Sequence, residues 1–320
     1  VGSVLETCRQ DLRLGGRRTA TTTNIMTQEQ NQHTTPTRHT AVQRDVVGDF
    51  TFWEREDKAV KQAPVLVGFQ DEAETAYTVA KTLVEQLQLP LIGEVKSRSF
   101  PPMTIVCNGQ VTGPMRVYGD DRLVVILASF NVKGDMAHDI TQLIFNFIDR
   151  HELSHVISVE GVKQKLELPP GVQPPKSEAE MAMMGQMLLR RQMDKGEDTT
   201  QPKFWTTDDS AAEVFRREGS ESLENVVVGG VTGALMNEVL YRPTLHHTVV
   251  FPTYSPFFTD VSAAAKAVRM LRLFFPSLSE ATTGKLDDMA GVLQDKLRGV
   301  VSELEGDNST AACASMSMYS

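Results

Sequence analysis

The sequence predicts an α/β fold: a mixed sheet flanked by helices, in one domain that carries an insertion and has disordered ends. Three observations predict it. Short apolar runs such as Pro64-Val-Leu-Val-Gly-Phe69 and Leu123-Val-Val-Ile-Leu-Ala128 have the length and β-branched content of strands buried on both faces. Between such runs lie segments whose apolar residues recur at helical spacing. The two ends of the chain show neither pattern.

With 320 residues, 41% of them hydrophobic, the chain has enough apolar side chains for one large α/β core or two modest ones. One domain with appendages fits better, because the ends differ from the middle. The net charge of -9 disfavours a surface for nucleic acid or for an anionic membrane. No apolar run approaches the roughly 20 residues that span a bilayer. The opening Val1-Gly-Ser-Val-Leu5 lacks a secretory core, so a soluble cytoplasmic or nuclear protein is expected. Cys8, Cys107 and Cys313 are too far apart in sequence for a metal knuckle or a disulfide framework.

Residues 1–58 contain Thr19-Ala-Thr-Thr-Thr-Asn24 and Gln28-Glu-Gln-Asn-Gln-His33 and show almost no aliphatic periodicity before Val46-Val47. A segment of this kind buries too little apolar surface to offset its ordering entropy, and a disordered extension is expected, with Met26 as a candidate start. Ordered structure is expected from residue 59. Pro64–Phe69 reads as a strand, Asp71 as an N-cap, and Ala76, Val79, Ala80, Leu83, Val84 and Leu87 as one helix face. Leu91-Ile-Gly-Glu-Val95 then completes a β-α-β unit, which predicts a parallel pair joined by a right-handed crossover.

Met103-Thr-Ile-Val-Cys107 and Met115-Arg-Val-Tyr118 are separated by Asn108-Gly109 and Thr112-Gly-Pro114, turn signals that predict an antiparallel excursion. After the strand at Leu123, Asp135 is expected to cap a helix carrying Ile140, Leu143, Ile144, Phe147 and Ile148. Val156-Ile-Ser-Val159 returns to the sheet. Residues 162–202, with Pro-Pro breaks and the Met-rich stretch from Glu178 to Met193, read as an insertion whose methionines form an adaptable apolar face. Asp208 caps the helix around Ala211–Arg217. Asn225-Val-Val-Val-Gly-Gly-Val-Thr-Gly-Ala-Leu-Met-Asn-Glu-Val-Leu240 predicts a strand, a glycine turn and a helix. His246–Phe251 is a further strand, and helices are expected from Asp260 and over about Leu286–Leu304. Residues 305–320 form a flexible tail ending Met318-Tyr319-Ser320.

Three constellations carry chemistry. His151-Glu-Leu-Ser-His155 matches the H-E-x-x-H pattern, in which two histidines one helical turn apart bind zinc and the glutamate activates water, with Glu178 or Glu180 as a third ligand. Against a zinc peptidase stand Asp149-Arg150 directly before the motif and the strand-like run that begins at His155, so a helix end and a strand start should divide the two histidines. Gly229, Gly230 and Gly233 could present backbone N–H groups to a phosphate. Yet no lysine follows as in a Walker loop, and the spacing is not G-x-G-x-x-G. No Ser-His-Asp set or nucleophile elbow stands out. Finally, an apolar residue and a tyrosine on a tether, with a terminal carboxylate, make a peptide ligand for a groove that also offers a cation or N–H groups.

Pro64–Phe69, Phe100-Pro-Pro-Met-Thr-Ile-Val106 with Asn108-Gly109, Pro114–Tyr118, the strand ending at Glu160-Gly161, Gly233–Leu240 and Asp260 with Ala263-Ala-Ala265 together resemble the proteasome assembly chaperone superfamily, in its archaeal-type branch. The resemblance covers about residues 60–304, apart from the insertion. Met318-Tyr319-Ser320 resembles the hydrophobic-tyrosine-any-residue terminus by which members of that superfamily dock between proteasome α-subunits.

The resemblance implies a phosphorylase/hydrolase-like fold without catalysis or cofactor, pairing with itself or with a related chaperone, and binding to core-particle α-subunits through Met318, Tyr319 and Ser320. Gln70-Asp-Glu-Ala73 stands where relatives carry a glycine-rich turn, a departure that weakens a phosphate site. The expected function is a non-enzymatic assembly chaperone or core-particle-binding protein. The alternatives are a phosphorylase-like enzyme with phosphate or nucleoside at Gly229–Gly233, and the zinc peptidase.

Overall fold

The computed structural model describes residues 41–55, 60–70, 74–107, 110–163, 201–254, 261–292 and 295. All of these fall in one compact unit, 38–320. The chain opens with strands β1 (Ala41–Val47), β2 (Phe50–Arg55) and β3 (Val65–Phe69), then helix α1 (Thr75–Gln86) and β4 (Leu91–Lys96). Next come β5 (Ile105–Cys107), β6 (Gln110–Thr112), β7 (Met115–Gly119), β8 (Val124–Ala128), α2 (Ala137–His151), β9 (His155–Val159) and β10 (Val162–Lys163). The last third holds β11 (Lys203–Thr206), α3 (Asp209–Arg217), α4 (Gly230–Val239), β12 (His246–Phe251), β13 (Thr253–Tyr254) and α5 (Val261–Phe274).

Nine strands make one mixed sheet in the order β1-β2-β4-β7-β8-β3-β9-β12-β11. The block β8-β3-β9-β12 is parallel, and every other neighbouring pair is antiparallel. Strands β8 and β9 are buried along their whole length, which is why they read as unbroken apolar runs rather than alternating ones. Successive side chains of β3 go to opposite faces: Val65 and Val67 join a core with Ile140, Ile144, Phe145, Val231 and Leu235, and Leu66 joins one with Val79, Leu83, Phe215, Val268 and Leu271. Helices α2 and α4 therefore cover one face, and α1, α3 and α5 the other. Gly68 lets α1 approach β3, because a Cβ there would lie 2.1 Å from the Ala80 Cβ. Among the described residues no helix is long and apolar enough to cross a membrane.

Several expectations need correction. The sheet begins at Ala41, inside the segment 1–58 expected to be disordered. Phe50, Phe52 and Glu54 point inward while Thr51, Trp53 and Arg55 are half-exposed, and Gly48 at φ +58° turns the hairpin. This period-2 pattern is a strand signal that outweighs the polar character of the residues before it. Glu54 is the anchor of the hairpin: its carboxylate accepts from Arg44 Nε and Arg150 Nη1, each at 3.1 Å, and lies 2.7 Å from His151 Nε2.

β4 runs in the direction of β3 but is not its neighbour, because the hairpin β7–β8 stands between them. The expected excursion is two separate features: β5 pairs with β6 in a small sheet of its own, and Met115–Gly119 belongs to the main sheet. Asn225–Val228 is not a strand. Both positions beside β12 are taken, by β9 and β11, and Val227 is 96% exposed. A 3-10 turn, Gly134–Met136, precedes α2, so Asp135 sits within that turn and not at the cap. Asp208 does cap α3, with its carboxylate accepting from the N–H groups of Ser210 and Ala211. The Met-rich stretch and most of the last predicted helix lie outside the described residues, although residues 284–292 are helical.

Candidate functional site

The two histidines of His151-Glu-Leu-Ser-His155 occupy different elements. His151 is the last residue of α2, Glu152 reverses the chain at φ +52°, and His155 opens β9. A zinc pair needs both imidazoles on one helical turn, and here each has its own partner. His151 turns to Glu54 and the Val60 carbonyl, whereas His155 Nε2 lies 2.9 Å from Thr248 Oγ1, which is 2.9 Å from Thr206 Oγ1. Among the described residues no group of three or more His, Cys, Asp or Glu side chains is placed to hold a metal ion.

On the other face of the same strands, the parallel register of β9 and β12 pairs His247 with Val156 and Ser158 with Val249, and the Ser158 Oγ lies 2.9 Å from the Nε2 of its diagonal neighbour His247. The geometry is that of a nucleophile and its base. Both residues have no exposed surface, however, so no substrate can reach the hydroxyl. Burial holds both histidines neutral: it drives the pKa of His247 down to about 3, helped by nearby His155. Burial likewise lowers that of His155 to about 4, with Asp208 opposing the shift and His246 adding to it. Sequence reasoning missed this pair. The one available signal was polar residues, Ser158 and His247, inside otherwise apolar strands.

In open α/β sheets, ligands favour the crevice outside the carboxyl ends of the parallel strands. There the buried Arg116 donates through Nη2 to Ser129 Oγ, which is 3.2 Å from the Tyr77 hydroxyl. This polar triad, which the sequence did not announce, fills the position beside the end of β8.

The glycine turn builds a groove instead of a phosphate cradle. Gly229 precedes α4, Gly230 takes φ +61°, and α4 runs on to Val239. Gly233 is required by a backbone approach, since a Cβ there would lie 2.3 Å from the Val228 carbonyl oxygen. That contact folds Val226 and Val228 over α4 and leaves a surface groove of about 410 Å³ lined by Trp205, Leu223, Val226, Val228, Met236 and Leu240, with Asn225 and Asn237 as its polar members. The lining has no cation to meet a phosphate, and it suits an apolar side chain. The expected docking residues, Met318, Tyr319 and Ser320, lie outside the described residues.

A nine-stranded mixed sheet with a parallel centre, covered by helices on both faces, defines the class: a three-layer α/β protein. The chain belongs to the PAC2 family, whose pattern it matches over residues 65–300. Among solved structures it is similar to PbaA of Pyrococcus furiosus, described as an archaeal homolog of proteasome-assembly chaperone, with a TM-score of 0.62 and 20% identity over 82% of this chain and 96% of that one. It is similar also to PbaB of the same organism, described as an archaeal proteasome activator (TM-score 0.57, 15% identity, 79% of this chain and 98% of that one). A proteasome-assembly chaperone homologue from Mycobacterium tuberculosis aligns at a TM-score of 0.51 and 13% identity, over 75% of this chain and 96% of that one. No curated protein sequence matches the chain.

Proposed function

We propose that this chain is a non-enzymatic proteasome assembly chaperone, or a protein that binds the core particle, and that it docks Met318, Tyr319 and Ser320 into pockets between α-subunits. The observation that carries the reading is membership of the PAC2 family over residues 65–300, joined to a fold shared with PbaA and PbaB. In this reading Met318 and Tyr319 fill an apolar groove, the Ser320 carboxylate pairs with a pocket lysine, and the folded domain adds a broader contact over the ring. The protein works in the cytoplasm or the nucleus and associates with itself or a related chaperone, so several tails act together and avidity raises the affinity of each. The sealed Ser158–His247 pair fits a scaffold that has no catalytic duty.

The test is capture of core particle and its assembly intermediates by the full chain beside a version lacking Met318-Tyr319-Ser320. The truncated protein should lose most of the capture while keeping its circular dichroism spectrum and unfolding midpoint. Equal capture by both versions would remove the tail mechanism, and no capture by either would remove the proteasome reading.

A further inference from the structure

Helices α1, α3 and α5 do not cover the whole of their face. Helix α1 lies over β8, β3 and β9, α3 over β11, and α5 over β12. Among the described residues no helix is laid across β2 and β4 on that side. The register shows what this part of the sheet carries. Trp53 stands opposite Glu94, Glu94 opposite Arg116, and Arg116 opposite Leu127, which is already under the helices. Residues two apart along a strand share a face, so Thr51 with its neighbour Lys96, Arg55 and Tyr118 belong to the same surface.

Trp53, Arg55, Glu94 and Tyr118 are half-buried, Lys96 is exposed and Arg116 is buried. Three cations therefore share this surface with one carboxylate. Aromatic rings position two of them: Lys96 Nζ is 5.2 Å from the centre of the Trp53 ring, and the Arg116 guanidinium carbon is 5.9 Å from that of Tyr118. Among the described residues none of the three cations forms an ion pair. Burial lowers the pKa of Arg55, and Glu94 and Tyr118 offset that only in part. Charges around the rim are largely engaged with one another. Lys81 pairs with Glu85 on α1, Asp120 and Glu280 share Arg122, and Asp49 accepts from the Ser97 and Ser99 hydroxyls. Asp121 is exposed in the β7–β8 turn, and Glu56 and Asp57, next to Arg55 in the chain, lie outside the described residues.

We propose that this face binds an acidic peptide, an extended segment of a partner protein whose carboxylates meet Arg55 and Lys96 while its apolar side chains lie on Trp53. Charge selects the occupant. The chain carries a net charge of -9, so a local excess of cations stands out against an acidic remainder. A short acidic segment confines its charge to the cationic spot, whereas a nucleic acid would run its phosphates onto that remainder. Arg55 offers a carboxylate the planar fork of its guanidinium, and Lys96 offers a solvent-facing ammonium. Arg116, lying beneath, contributes its field and no contact.

The test is fluorescence anisotropy of a short labelled peptide of alternating glutamate and leucine, titrated with the full chain. The same peptide with glutamine for glutamate, and a single-stranded oligonucleotide, are titrated beside it. The glutamate peptide should bind, and bind less as salt rises, while the glutamine peptide should not bind. Lys96→Glu should weaken binding by about tenfold, because it replaces a charge-assisted contact by a repulsive one. Lys133→Glu, an exposed lysine ahead of α2, changes the net charge equally and should leave binding within about twofold. Both positions are exposed, so the fold should persist, and Lys96→Gln is the second variant should Lys96→Glu fail to fold. Four results would each overturn the proposal: no binding of the glutamate peptide, equal binding of the glutamine peptide, equal losses from the two lysine variants, or tighter binding of the oligonucleotide. Deleting Met318-Tyr319-Ser320 should leave peptide binding unchanged, which keeps this outcome separate from core-particle capture.

Discussion

His247 is a conspicuous residue that burial closes off from solvent. Its imidazole is sealed between β9 and β11, with Ser158 at Nε2 and the Trp205 ring edge-on at 5.8 Å. Its pKa is lowered by burial to about 3, from an ordinary value near 6.5, so between those pH values the unfolded chain binds a proton that the folded chain does not. Stability from this group is therefore complete above pH 6.5 and is lost as the pH falls toward 3, at no more than about 1.4 kcal/mol per pH unit. His155 adds a slope of the same sign down to about pH 4. Urea unfolding should show the midpoint dropping from pH 7 to pH 5, and His247→Gln should flatten that drop. At Gly233 the usual rule for helices inverts. Exchanging glycine for alanine inside a helix ordinarily stabilises by about 1 kcal/mol, but the new Cβ would meet the Val228 carbonyl oxygen at 2.3 Å. Gly233→Ala should therefore destabilise, by about 1–3 kcal/mol in the same assay.

At the level of elements, the hairpin β1–β2 hangs on Glu54. Its side chain is 5% exposed and gathers Arg44, Arg150 and His151, and Arg150 also pairs with Asp45. Removing Glu54 takes the carboxylate from half-exposed Arg44 and from His151 while Arg150 keeps Asp45, at a cost of about 1–3 kcal/mol. Glu54→Ala should therefore raise amide exchange over residues 41–55 well before it does so in β3, β8 and β9. That hairpin was legible in the alternation from Phe50 to Arg55, and its polar surroundings obscured it.

The parallel strands, α1 and the Asp208 cap could be read directly, because buried strands and capped helices each impose a local pattern. Strand neighbours could not. Nothing local in Leu91–Val95 shows that β7 and β8 come between it and β3, since order in a sheet depends on contacts distant in sequence. The same reason hid the groove. Asn225–Val228 has strand composition, but the sheet had no vacant place for it, so its valines line a surface instead. The histidine pattern at 151–155 was correctly divided by the sequence at a helix end, because Val156–Val159 can only be a strand.

For the whole molecule, the tail and the folded domain are predicted to fail separately. Truncating Met318–Ser320 should remove most of the capture of core particle and leave the oligomeric mass unchanged. Unfolding the domain should leave the tail peptide with only its own contact, so capture should weaken by the lost avidity and the lost domain contact.

The small parallel pair β10–β13 has a further consequence. It clasps the chain where it leaves β9 to the chain where it leaves β12, and the excursion that follows β10 comes back as the edge strand β11. Both of its ends are thus tied to rigid structure. An insertion engineered between Lys163 and Lys203 should accordingly leave the unfolding midpoint of the domain close to its original value, because the chain departs and returns at positions that the sheet fixes.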